Sequence, residues 1–182
     1  MVIINYSILK NMENNFLPNE YKIPDNKGYM KFKDGENTFR ALSSVITGYE
    51  YWNTNNKPVR SKDALRNIPE DIRIDASGNP TKVRHFWAFV VWNYDSESIQ
   101  ILEITQSTIQ AAIKAMVDNK KWGSPLNYDI TVTRTGEGFD TEYTVMPNPV
   151  SELSPEVKEL YNSRVISLGA LYEGKNPFEV SE

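Results

Sequence analysis

The chain has 182 residues, of which 40% are hydrophobic and 12% aromatic, and carries a formal net charge of −4. That length and apolar share fit one domain with tails and exclude a wholly disordered chain. With no cysteine and a single histidine, His85, disulfide scaffolds, thiol nucleophiles, thiolate metal sites and multi-histidine sites are excluded as well.

Residues 1–28 are rich in Asn, Lys, Glu and Pro, with apolar anchors at Phe16, Leu17, Tyr21 and Ile23. They read as an N-terminal arm. Met1 to Leu9 is apolar, but it lacks a basic leader and a cleavage site, so it is expected to be part of that arm and not a signal peptide. No apolar run reaches the roughly 18 residues of a membrane span, which predicts a soluble, cytoplasmic chain. Phe39–Ile46 reads as a first strand, extended after Gly48 by Tyr49-Glu50-Tyr51-Trp52. Residues 53–82 form a long polar excursion with one helical turn expected near Ala64–Asn67. The run His85 to Trp92, the turn 93–98 and Ile99 to Ile104 predict a hairpin. A helix follows, capped by Thr105 or Ser107, with Ile109, Ala112, Ile113, Met116 and Val117 at helical spacing and an end near Asn119. Tyr128–Arg134 and Thr141–Met146 alternate as two further strands around Gly136-Glu137-Gly138, and Pro147 and Pro149 are expected to end the sheet. Ser154 caps a short helix over 154–162 with Pro155 at its first position, and residues 167–173 offer another.

Three strands, a helix and two strands is the order of a five-stranded Greek-key barrel of OB type. The fold expected is therefore mainly β: residues 29–150 an OB-fold-like nucleic-acid-binding domain, residues 1–28 an arm, and 151–182 short helices with an acidic tail. Different small β-barrels and α+β sheets share much of this pattern.

Catalysis finds little support. His85 enters an apolar strand, where histidines are commonly structural. No nucleophile elbow or phosphate loop is present. Glu103, Asp129, Asp140 and Glu142 are explained by alternation on exposed strand faces, and Glu20-Tyr21-Lys22 and Glu173-Gly174-Lys175 lie off the core strands. Binding is better supported, because the charge is segregated. Residues 31–92 hold 10 Lys/Arg against 7 Asp/Glu, whereas residues 93–150 hold 4 against 8. Single-stranded nucleic acid is bound by cations that track phosphates and rings that stack on bases. The rings expected to stack are Tyr49, Tyr51, Trp52, Phe86 and Trp92; the expected phosphate contacts are Arg40, Lys57, Arg60, Lys62, Lys82, Arg84 and Arg134. Along residues 84–94, the face bearing Arg84, Phe86, Ala88, Val90, Trp92 and Tyr94 is expected to be the open one. A carbohydrate-binding or adhesive β module would also use aromatic platforms, and a carboxylate-dependent nuclease would need a divalent metal.

Several blocks resemble a known family: Tyr29-Met30-Lys31-Phe32, Asp34 to Arg40, Gly48 to Trp52, Lys57-Pro58-Val59-Arg60, His85 to Phe89, Trp92-Asn93, Leu102 to Gln106, Trp122-Gly123 and Tyr128-Asp129-Ile130. Together they are similar to phage replication single-stranded DNA-binding proteins of OB fold, over roughly residues 17–149. The resemblance implies a non-enzymatic protein that coats single-stranded DNA in replication or recombination, in the cytoplasm of a bacterial host, without a cofactor. It carries over no catalytic or metal residue, and a structural zinc of the kind some relatives hold would find no thiolate here. Related proteins often end in an acidic, Phe-bearing tail that recruits replication proteins. Phe178, Glu179 and Glu182 are the matching residues.

Overall fold

The computed structural model describes residues 28–179. The expected arm lies outside them except for Gly28, as does Glu182. Among the described residues, eight strands form one mixed sheet: β1 Tyr29–Met30, β2 Gly35–Ala41, β3 Ile46–Trp52, β4 Pro58–Ser61, β5 Arg84–Asn93, β6 Ser98–Ile104, β7 Tyr128–Thr135 and β8 Glu142–Val150. Helix α1, Ser107–Asp118, lies between β6 and β7, and α2, Pro155–Asn162, follows β8. The main path runs β1-β6-β5-β2-β7-β8, while β3 joins β5 and carries β4 on its far side. Every pairing is antiparallel except β1 on β6. No ladder joins β8 to β1 among the described residues, so the sheet stays open. Phe32, just after β1, reaches across to Tyr143 of β8 with ring centroids 6.0 Å apart.

β5 is the spine. It pairs with β6 along one edge and with both β3 and β2 along the other. The single strand expected over 39–46 is therefore two, broken at Leu42–Val45. The break keeps β5's hydrogen bonds intact: Leu42 N donates to the Val90 carbonyl (2.8 Å), and Val90 N donates to Ser43 Oγ (2.9 Å). A serine hydroxyl thus substitutes for the missing backbone acceptor. At Gly48 the chain passes so close to β4 that a Cβ would collide with the Ser61 carbonyl oxygen, so glycine is required there.

The larger core lies between one face of the sheet and α1. It gathers Phe39, Phe89, Val91, Leu102, Ile104, Ile130 and Val132 under Ile109, Ile113 and Met116 of the helix. Neither Thr105 nor Ser107 caps α1. Gln106 holds the N-cap position without a side-chain capping bond, and Gln110 Nε2 ties the first turn to the carbonyls of Ile104 (2.8 Å) and His85 (3.1 Å). By contrast, Ser154 caps α2 as expected, its Oγ accepting from Val157 N at 3.3 Å.

Three other expectations are corrected. β8 continues through Pro147 and Pro149 to Val150; it pairs only with β7 and so is an edge strand, the place in a sheet where proline is tolerated. The excursion 53–82 contains no helical turn at Ala64–Asn67. It supplies β4, folds back on the end of β3 through the bridge Asn53↔Ile72 and closes on itself through Ile74↔Pro80, with Ile72 buried. Finally, the outer face of β5 is not open. Phe86, Ala88 and Ile101 form a second core with Leu171, against which Tyr29, Ile166, Leu168, Tyr172 and Phe178 pack. Residues 168–173 form a 3-10 helix, and Tyr172 Oη donates to the Thr47 carbonyl at 2.6 Å. A buried leucine contributes about 1.5–3 kcal/mol, so this C-terminal segment is part of the folded body.

Candidate nucleic-acid interface

The expected site residues separate into three groups. Tyr49, Tyr51, Trp52, Lys57, Arg60, Lys62, Lys82, Arg84 and Phe86 gather around β3, β4 and the start of β5. Trp92 lies eight residues further along β5, about 26 Å away at the rise of an extended strand. Its ring makes an edge contact with Tyr94, with centroids 6.5 Å apart. Near that end Arg40 is an interior residue, 1% exposed. Its Nε pairs with Asp129 at 2.6 Å and its guanidinium donates to the Ser151 carbonyl and hydroxyl. Buried and partnered in this way, it presents no open face to a phosphate. Arg134, the third location, pairs with Asp34 at 2.8 Å and stays partly exposed.

Within the large group the roles also divide. Phe86 is 0% exposed and has no face for a base. Tyr51 is buried with its hydroxyl on Asp71 Oδ1 at 2.8 Å. Burial, with Asp71 beside it, raises the pKa of that phenol. Tyr49 is half-buried in an edge contact with His85, with centroids 5.4 Å apart. Trp52 is 39% exposed and carries the Arg73 guanidinium 5.6 Å from its ring centroid, an arrangement that holds a cation beside a stacking surface. Lys57, Lys62, Lys82 and Arg84 are exposed; Lys62 Nζ lies 5.4 Å from the centroid of the Tyr172 ring.

Two grooves cross this side of the sheet. The first, about 810 Å³, runs between the β3–β4 hairpin and the β7–β8 hairpin. Trp52 and Pro58 stand on one wall, Arg134 and Tyr143 on the other, and Lys31 and Phe32 follow β1. The second, about 1120 Å³, continues along β4 under the C-terminal segment, past Lys57, Arg164, Lys175 and Phe178. Tyr29, Pro58 and Arg60 line both, so the two adjoin at these side chains. Lys62, Lys82 and Arg84 lie outside them.

The shared floor is ionic. Arg60, its side chain 8% exposed, has Nε 2.8 Å from Glu50 Oε2, close enough for an ion pair but outside hydrogen-bond geometry. Its Nη2 donates to both oxygens of Glu103 at 2.9 Å, and its guanidinium carbon lies 5.6 Å from the centroid of the Phe86 ring. Burial pushes the Glu103 carboxyl above its ordinary range, Arg60 pulls it back, and Glu50 pushes it up again. The Tyr29 phenol beside it is raised by burial and then by Glu103. Arg60 is therefore a structural cation of the floor, not a free phosphate ligand.

Lys31, Arg73, Tyr143, Arg164 and Lys175 are cations and rings of this surface that motif reading missed. Lys31 lies in a segment of family resemblance, Tyr143 in an alternating strand and Lys175 in a Glu-x-Lys triplet, but Arg73 and Arg164 come from segments with no local signal. In the tail, Phe178 makes an edge contact with Tyr29, with centroids 5.9 Å apart, and Glu179 is exposed. Among the described residues no three His, Asp or Glu side chains converge as metal ligands, and no helix is long and apolar enough to cross a membrane.

No family model matches the chain, and no solved structure does. It is similar to a probable ssDNA-binding protein of Escherichia phage T5, 27% identical over 139 residues, which cover 64% of this chain and 53% of that protein. The chain thus spans about half the length of that relative.

Proposed function

We propose that this chain binds single-stranded DNA along the joined grooves, as a non-enzymatic protein of phage replication or recombination acting in the host cytoplasm. The observation that carries the reading is a pair of adjoining grooves bearing the exposed Trp52 ring, the half-buried Tyr143 ring and the cations Lys31, Lys57, Arg134, Arg164 and Lys175. Rings and cations in one groove suit a strand whose bases are accessible and whose phosphates need neutralising. The name of the phage T5 relative points the same way.

The strand order also supports the reading. Taken as one bent strand, β2–β3 followed by β5, β6, α1, β7 and β8 has the order of an OB fold, with β1 beside β6 where closure would occur. The loops expected to hold ligand in that fold, 53–83 and 135–141, flank the first groove. On this reading residues 29–150 form the binding domain, with Arg164 and Lys175 of the packed C-terminal segment added to its groove, residues 1–28 an arm, and Phe178, Glu179 and Glu182 a contact for replication proteins.

Titration with oligo-dT tests the proposal. Tryptophan fluorescence should be quenched, and log Kobs should fall with log salt by about 0.7 per phosphate neutralised. Quenching that ignores salt, or no binding, would refute it. Binding of glycans instead would favour a carbohydrate module, and cleavage of the oligonucleotide with Mg²⁺ a nuclease.

A further inference from the structure

Phosphate binding leaves the floor of the proposed groove unexplained. Glu50, Arg60 and Glu103 together hold two negative charges and one positive, so a phosphate moving across them would meet net negative charge. The cations that could hold phosphates line the walls. A strand that follows this groove therefore runs with its backbone on the rim and its bases turned to the floor.

Of the two floor carboxylates, Glu103 is the one a base can reach. Its side chain is 24% exposed, whereas that of Glu50 is 9% exposed. An ionised carboxylate is an acceptor with about four lone-pair sites and no donor. Arg60 engages Glu103 through a single nitrogen, Nη2, which leaves acceptor capacity on the open side. Around that side the groove is lined by Tyr29, Lys31, Thr105 and Gln106.

Resting on the groove as the path of the strand, we infer that Glu103 is a specificity-determining residue that favours bases bearing an exocyclic amine over thymine. Cytosine presents its N4 amino group, adenine its N6 amino group, and guanine the neighbouring N1–H and N2 amino donors. Thymine presents O4 and O2 on either side of a single N3–H. A carboxylate set against that edge faces two acceptors, and lone pair meets lone pair. The groove then binds strands of mixed sequence through its rings and rim but ranks them by what they offer the floor.

The experiment compares (dC) and (dT) oligomers of about 12 nucleotides binding to the full chain, read by tryptophan quenching at a mildly alkaline pH that keeps cytosine N3 unprotonated. The (dC) oligomer should bind more tightly by about fivefold, the cost of one hydrogen bond left unmade. Glu103→Gln keeps the shape but adds an N–H donor that thymine O4 can accept, so the preference should vanish or invert while the unfolding midpoint confirms a folded protein. Equal binding of the two oligomers by the wild-type chain overturns the inference without any variant, as does a preference that Glu103→Gln leaves unchanged. Both outcomes leave the groove as the DNA path. If neither oligomer binds, the path itself is refuted and the inference falls with it.

Discussion

Replacing Arg60 with methionine separates a structural floor cation from a phosphate contact. Methionine keeps an unbranched chain over Phe86 but removes the charge between two carboxylates. Arg60 lies 2.8 Å from Glu50 and 2.9 Å from Glu103, with its own side chain 8% exposed. Unit charges about 4 Å apart at an effective dielectric of about 20 attract by about 4 kcal/mol. Desolvation offsets much of this in the intact network. Removing one member leaves the others uncompensated, which costs about 3–5 kcal/mol. Against a total stability of about 5–15 kcal/mol, Arg60→Met should lower the urea midpoint markedly before any DNA is added. The deficit should also depend on pH. Glu103 already has a raised pKa because burial outweighs the Arg60 guanidinium that holds it down, and without Arg60 it rises further. A carboxyl whose folded-state pKa exceeds its unfolded value favours the folded state when protonated. That stabilisation is fully present below the unfolded value of about 4.3 and is lost as the pH rises through the folded one. The deficit should thus be largest at neutral pH and shrink on acidification toward the carboxylate range. A variant with the wild-type midpoint at neutral pH, defective only in DNA binding, would refute the assignment of Arg60 to the floor.

Three further outcomes are expected. Trp52→Ala should weaken oligo-dT binding by about 1–3 kcal/mol, the value of one stacked base, with little change in the unfolding midpoint; undiminished affinity would remove Trp52 from the path. Phe86→Ala should cost about 3–5 kcal/mol of stability, measurable by urea denaturation, because the ring is fully enclosed by the C-terminal segment; a stable Phe86→Ala protein would mean that the segment does not cover β5 in solution. Ser43→Ala should cost about 1–3 kcal/mol by leaving the Val90 N–H without its acceptor, and hydrogen exchange at Val90 should accelerate selectively.

Local pattern carried much of the architecture. The hairpin of β5 and β6, helix α1, the β7–β8 pair and the Ser154 cap all depend on neighbours in sequence: period-two or helical alternation, turn residues, and a hydroxyl beside a proline. Long-range pairing is different in kind. Nothing local to Leu42–Val45 distinguishes a straight strand from one whose halves choose different partners, and nothing in a proline pair reveals that β8 is an edge. The candidate site divides the same way. Composition alone marked residues 31–92 as basic and aromatic, and Trp52 and Lys57 lie exposed on the groove. Which cations were free was not legible, because a guanidinium is a phosphate ligand or a buried counter-ion according to what faces it. Arg40 meets Asp129 and Ser151, and Arg60 meets Glu50 and Glu103, all from other parts of the chain.

The sequence by itself determined a mainly β chain with one principal helix, a segregated basic and aromatic region, and a lack of thiol or multi-histidine chemistry, because these follow from residue identity and short-range spacing. Only the tertiary structure decided that the outer face of β5 is covered by residues 166–178, and that one groove joins Trp52 and Tyr143. It also decided that the floor of that groove is ionic. Burial and charge pairing are relations between distant residues, and they exist only once the chain has brought those residues together.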